Sequence, residues 1–139
     1  MEEIQEVIKN IKSDGIIRKL DELGRIVIPM EYRMSKIIDG ETMVKVYNIN
    51  NYVIVQILDD QLDKKVKKFD NLGRVVIQKE IRKKLGWIAN SEIKVWNYEN
   101  SFILQKVETE CVFCRNSNNL IEFKNTLICQ ECKNELRKI

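Results

Sequence analysis

Four cysteines occur as Cys111-Val-Phe-Cys114 and Cys129-Gln-Glu-Cys132, two C-x2-C pairs with fourteen residues between them. Two such pairs supply four soft thiolates, the tetrahedral set that Zn²⁺ prefers, with no coordination position left open for water. The chain has no histidine, so an all-thiolate site is its only nitrogen-or-sulfur option. A redox dithiol and an iron–sulfur cluster are the competing readings. The thioredoxin-type alternative needs one C-x-x-C on a βαβ unit, a pattern absent here. A structural Zn²⁺ site is the reading adopted, and a segment this small is expected to fold only with its ion.

The second chemistry is cationic. The net charge is only +3 over 139 residues, yet it is unevenly placed. Residues 14–56 hold six basic and six acidic side chains, whereas residues 64–106 hold eleven basic and four acidic. Asp59, Asp60 and Asp63 lie between the two stretches. Such lopsidedness points to a polyanion partner for the later stretch.

These stretches are related. Lys19-Leu-Asp-Glu-Leu-Gly-Arg-Ile-Val-Ile28 returns as Lys68-Phe-Asp-Asn-Leu-Gly-Arg-Val-Val-Ile77 after 49 residues. The same gap-free offset aligns Glu31 with Glu80, Arg33 with Arg82, Asn48 with Asn97 and Ile54 with Ile103. One supersecondary unit is therefore built twice. Units this small have marginal cores and usually need a partner copy or a metal.

Each copy is expected to run short strand, glycine turn, strand, short helix, two-stranded hairpin. Gly24 and Gly73 stand where a tight reversal needs positive φ. Ile26–Ile28 and Val75–Ile77 are β-branched strands. Pro29 opens a helix in the first copy; Gln78 stands there in the second. The second helix, Lys79 to Leu85, should close at Gly86, and the first should run on to a stop at Asp39-Gly40. Hairpins are expected to turn around Asn48–Asn51 and Asn97–Asn100. Tyr47, Trp87, Trp96 and Phe102 read as core or interface aromatics. Ile4, Val7, Ile8 and Ile11 form one apolar stripe of an N-terminal helix, which either packs on its own domain or mediates oligomerisation. Near the C-terminus, a hairpin turning at Lys124-Asn125 and a helix from Glu131 onward follow the first cysteine pair.

The resulting domain scheme is an N-terminal helix at 1–14, repeat 1 at 15–58, an acidic-to-basic linker at 59–65, repeat 2 at 66–107 and a cysteine module at 108–139. No apolar run approaches the ~20 residues of a bilayer span. The N-terminus lacks a signal-peptide core, so a cytoplasmic, nucleoid-associated protein is expected. There is no nucleophile–base constellation, and no enzyme or small-molecule substrate is expected.

The segment from Gly15 through Asp21-Glu-Leu-Gly-Arg25 to Pro29, followed by Glu31 and Arg33, closely resembles the DNA-binding domain of the AbrB/MazE/SpoVT family. The second copy matches through Lys67–Ile77, Glu80-Ile-Arg82 and Leu85-Gly86. The resemblance covers residues 15–106. It implies a mainly β fold with short helices, a tandem swapped-hairpin β-barrel closed within one chain as a pseudo-dimer. Exchange of hairpins between chains is the rival arrangement. The cysteine module resembles a treble clef or zinc ribbon.

The resemblance places DNA-facing residues at Arg18, Lys19, Arg25 and Arg33 in the first copy, with Met34 replacing the next family arginine. In the second copy they fall on Lys67, Arg74, Arg82 and Lys83, with Lys68 and Lys84 adding charge. Arg25 and Arg74 have a competing structural reading, each bracketing Asp21 or Asp70. Glu31 and Glu80 are expected in salt bridges. The function implied is a bacterial transcriptional regulator that binds duplex, A·T-rich DNA through phosphate contacts and groove shape. The charge distribution adds that the second repeat, through Arg74 and Arg82, dominates affinity over Arg25 and Arg33. An antitoxin and a protein-interaction adaptor without DNA binding are the alternatives. The cysteine module, balanced at five basic and five acidic residues, suits protein contact or homo-oligomerisation better than dense phosphate contact.

Overall fold

Strand pairing follows the 49-residue repeat. The computed structural model describes residues 6–7, 15–36, 38, 41–58, 67–124 and 126–139. The chain forms two compact units, Met1–Lys106 and Val107–Ile139. In the first unit, the first copy supplies β1 (Ile16–Lys19), β2 (Arg25–Val27), α1 (Met30–Met34), β3 (Met43–Ile49) and β4 (Tyr52–Ile57). The second supplies β5 (Lys67–Lys68), β6 (Arg74–Val76), α2 (Lys79–Leu85), β7 (Glu92–Tyr98) and β8 (Ser101–Lys106). The unit is mainly β, with short helices and a curled antiparallel sheet.

The six-stranded sheet runs β1-β7-β8-β4-β3-β5, an order that reads the same from either end when each strand is exchanged for its counterpart. Thus β1 of the first copy lies on β7 of the second, with Arg18 opposite Ile93, and β5 lies on β3, with Lys67 opposite Val44. The copies meet at β4–β8, where Ile54 faces Ile103, and at the separate β2–β6 ladder, where Ile26 faces Val75. Members of both central pairs are 49 residues apart, so each pairing is centred on equivalent positions.

One sheet face buries Val44, Val46, Val53, Val55, Ile93, Val95, Phe102 and Leu104 against Leu20, Phe69, Trp87 and the β2–β6 residues. The opposite face carries a second cluster, Tyr52, Ile54, Trp96 and Ile103, against which Tyr47, Ile49, Tyr98 and Val7 pack. Consecutive residues of β4 are therefore all buried (Tyr52 to Val55), because both faces are covered. The four aromatics expected inside are placed there, Tyr47 at the margin.

Three expectations change in detail. Helix α1 closes at Ser35 instead of running to Asp39-Gly40. The hairpin strands extend further than the alternation suggested, so the turns contract to Asn50-Asn51 and Glu99-Asn100. Asn50 and Glu99 take positive φ there, which asparagine tolerates and glutamate resists. Of the N-terminal helix at 1–14, only Glu6 and Val7 are described, both helical. The rest of that helix, the stop residues Asp39-Gly40, the linker 59–65 and turn residue Asn125 lie outside the described residues. Helix α2 ends as its glycine requires, with Gly86 at φ 73.

In the second unit, β9 (Leu120–Phe123) and β10 (Thr126–Cys129) pair as a hairpin, followed by α3 (Gln130–Arg137).

Candidate nucleic-acid interface and metal centre

The two Asp-x-Leu-Gly-Arg segments fold into the same loop. Asp21 Oδ1 accepts the backbone N–H groups of Leu23 (2.9 Å) and Arg25 (2.8 Å), and Oδ2 accepts Arg25 Nε at 2.6 Å. Asp70 repeats this with Leu72 (2.9 Å), Arg74 N (2.8 Å) and Arg74 Nε (2.5 Å). Burial alone would raise both carboxyl pKa values. Hydrogen bonds from Arg25 and Leu23, or from Arg74 and Leu72, outweigh it and hold both below the ordinary value. Gly24 and Gly73 sit at φ +78 and +77, as the reversal demands.

A glycine is needed there for a second reason. A Cβ on Gly24 would come within 2.5 Å of Arg82 Cζ, and one on Gly73 closer still to Arg33 Cζ. Arg82 and Arg33 are anchored by Nε bonds to the Ile77 and Ile28 carbonyls, each 2.8 Å. Each loop is therefore covered by an arginine from the other copy's helix. Backbone bonds from Ile28 to Gly73 (3.0 Å) and from Ile77 to Gly24 (2.8 Å) lock the same juxtaposition.

The candidate residues fall into distinct settings. Arg25 and Arg74 bracket their aspartates, so the structural reading of that pair is realised in the geometry. Arg33 and Arg82 are half-buried at the crossings. Arg18, half-buried on β1, donates to the Ile17 carbonyl (3.0 Å). Lys67, half-buried on β5, reaches the Val76 carbonyl at 3.3 Å, and burial draws its pKa below the usual lysine value. Lys68 is exposed and pairs with Glu41 at 3.2 Å; Lys19 and Lys83 are exposed. Glu31 and Glu80 are exposed and are not in the close ion pairs found among the described residues, although the charge of Glu80 acts on Lys67. Lys84, expected to add charge, is exposed on α2 beside Lys83, and so is Lys79, which the sequence reading did not single out. The aligned repeat could have singled out Lys79, whose counterpart is Met30.

In the second unit the four cysteines converge. Their Sγ atoms all lie within 4.8 Å of one another, and Cys114 Sγ is 3.5 Å from Cys129 Sγ. A tetrahedral ion with metal–sulfur bonds of about 2.3 Å places its sulfurs ~3.8 Å apart, so the cluster has the dimensions of a four-thiolate site. Backbone amides aim at the sulfurs in both turns: Phe113 N to Cys111 Sγ at 3.4 Å and Cys132 N to Cys129 Sγ at 3.5 Å. Burial would raise the Cys111 pKa, but backbone hydrogen bonds at Cys114, Cys129 and Phe113 overcome it and lower it to about 6. Cys132 is pushed upward, chiefly by its contact with Cys129 and by burial. A cation bound by these four sulfurs would displace the protons that the crowded thiols still carry. The bond from Val112 N to the Leu127 carbonyl (2.8 Å) docks the first knuckle on the hairpin, and Cys129 caps α3.

The chain resembles a known regulator. Over 46 residues it is 41% identical to the transition state regulatory protein AbrB of Bacillus subtilis strain 168, covering 33% of this chain and 48% of that protein. The chain thus spans about half the length of the curated relative it matches. No family model and no solved structure matches. Among the described residues no helix is long and apolar enough to cross a membrane.

Proposed function

We propose that this chain is a DNA-binding transcriptional regulator of the AbrB type. Its first unit is a swapped-hairpin barrel completed within one chain, and its second is held by a structural Zn²⁺. The reading rests chiefly on the crossing of the copies: β1 and β5 each add to the other copy's hairpin, and two identical, rigidly bonded loops flank the β2–β6 ladder. Partial identity to AbrB supports the same reading. In this arrangement Lys79, Lys83 and Lys84 meet phosphates as point charges, with Arg18, Lys19, Lys67 and Lys68 adding to the field. Arg25, Arg33, Arg74 and Arg82 first hold the loops and then offer their remaining N–H groups to the duplex. Double-stranded DNA is the partner, and A·T-rich sequence enters through groove shape. Four thiolates with no open position suit Zn²⁺ as a folding ion, which names Cys111, Cys114, Cys129 and Cys132 as its ligands.

A mobility-shift titration against salt, on A·T-rich and random duplexes, tests this. The three phosphate contacts of Lys79, Lys83 and Lys84 alone predict roughly a 40-fold loss of affinity between 50 and 200 mM salt. Weak binding that ignores salt would refute it.

A further inference from the structure

The pseudo-symmetric unit has two unlike ends, and neither belongs to one copy. Because Arg82 covers Gly24 and Arg33 covers Gly73, each end combines one copy's loop with the other copy's helix. The first end joins residues 21–25 to α2. Together, residues 21–25 and 79–85 carry five basic side chains (Arg25, Lys79, Arg82, Lys83, Lys84) and three acidic ones. The second end joins residues 70–74 to α1. There, residues 30–34 and 70–74 carry two basic and two acidic side chains. At the positions where α2 presents Lys79 and Lys83, one turn apart, α1 presents Met30 and Met34. These methionines are 59% and 73% exposed, so they are not core residues displaced to a helix edge. Leu72 and its counterpart Leu23 are exposed alike, at 63% and 66%, so the helices and not the loops make the ends unlike.

We infer that the protein engages duplex DNA with a fixed polarity. The lysine end clamps phosphates, and Met30 and Met34 at the other end lie against the apolar edges of bases. The inference rests on the DNA-binding reading above. Both short helices follow directly on the paired strands β2 and β6, so a duplex laid along that ladder meets Lys79 and Lys83 on one side and Met30 and Met34 on the other. Methionine cannot neutralise phosphate, but it gains by covering thymine C5-methyl groups, the apolar feature of the major groove. A second consequence is that the basic residues sort by end, Arg25 with Arg82 and Arg33 with Arg74, and not by copy.

The test exchanges the two helix faces. The variant M30K/M34K should add two phosphate contacts and steepen the salt dependence by roughly tenfold in affinity between 50 and 200 mM. K79M/K83M should flatten it by the same factor. Replacing thymidine by deoxyuridine in the duplex should weaken the wild-type protein and leave M30K/M34K unaffected. All four substitutions are at exposed sites, and circular dichroism melts verify folding. If K79M/K83M behaves as stated while M30K/M34K leaves the salt slope unchanged, the polarity is overturned, and the methionine face serves a protein. Equal response of both proteins to deoxyuridine also overturns it. If the wild-type protein shows no salt-dependent binding, the DNA-binding reading itself falls.

Discussion

The crossing of the copies can be measured as a coupling energy. Consider Gly24→Ala. A residue with a Cβ at φ +78 costs roughly 1–2 kcal/mol from left-handed backbone strain alone. The new Cβ would also lie 2.5 Å from Arg82 Cζ and Nε. That side chain is flexible, so it would swing away, but it would forfeit its 2.8 Å bond to the Ile77 carbonyl. A bond from a charged donor is worth about 1.5–3 kcal/mol when shielded. Arg82 is half-buried, water replaces part of the bond, and about 1 kcal/mol is the appropriate share. The total is then about 2–3 kcal/mol. In an Arg82→Ala background nothing need move, and Gly24→Ala should cost only its backbone strain. The cycle should therefore show about 1 kcal/mol of coupling, against none for Gly24 with Arg33, which sits over Gly73. Gly86→Ala supplies the internal standard: its φ is +73 and a Cβ there meets nothing within 4 Å, so it reports backbone strain alone. Urea-unfolding midpoints of the single and double variants give the numbers, provided the denaturant slopes agree. Additivity of Gly24 with Arg82, or coupling of Gly24 to Arg33 instead, would refute the crossed arrangement.

Elemental analysis of protein purified without oxygen should find one zinc per chain; its absence would sink the four-thiolate assignment. Chelation, or Cys129→Ser at a buried ligand, should unfold residues 107–139 and expose them to protease while the first unit melts unchanged. Acid should weaken the first unit in a defined window. The folded pKa values of Asp21 and Asp70 lie below their unfolded values, so the stability they contribute is complete above about pH 4. It is lost as pH falls through the folded values. The variant D21N/D70N should be less stable at neutral pH and flatter across that window; an unchanged acid slope would defeat the assignment.

What the sequence made legible was whatever depends on local spacing. The 49-residue offset revealed the doubled unit, Gly24 and Gly73 the turns, Gly86 the helix stop, and the two C-x2-C pairs the sulfur cluster. The Asp21–Arg25 bond was visible as one of two readings because both partners sit in one loop. Arg33 and Arg82 were harder. The family resemblance puts them among DNA-facing residues, and only the fold reveals that each lies on a glycine 40 or more positions away in the other copy. The early stop of α1 was also hidden, since helix ends depend on tertiary packing as much as on a following glycine. The run Tyr52–Val55 masked its two-sided burial for the same reason: continuous apolar residues do not say what covers each face.

The crossing also explains where the copies could diverge. At the loops, Asp, Leu, Gly and Arg recur in both, because each loop must satisfy its own aspartate bonds and admit an arginine from its neighbour. Changing one copy's glycine would displace the arginine that the other copy lays over it, so the two halves are held to one solution at these loops. Residues 30 and 34 are largely exposed, so the shared core left them free to part from 79 and 83. In a homodimer the same drift would change both ends together. A single chain carrying both copies permits one end to become lysine-rich while the other becomes apolar, at no cost to the shared core. Asymmetry at the surface with identity at the crossing is therefore a physical consequence of building the pair in tandem.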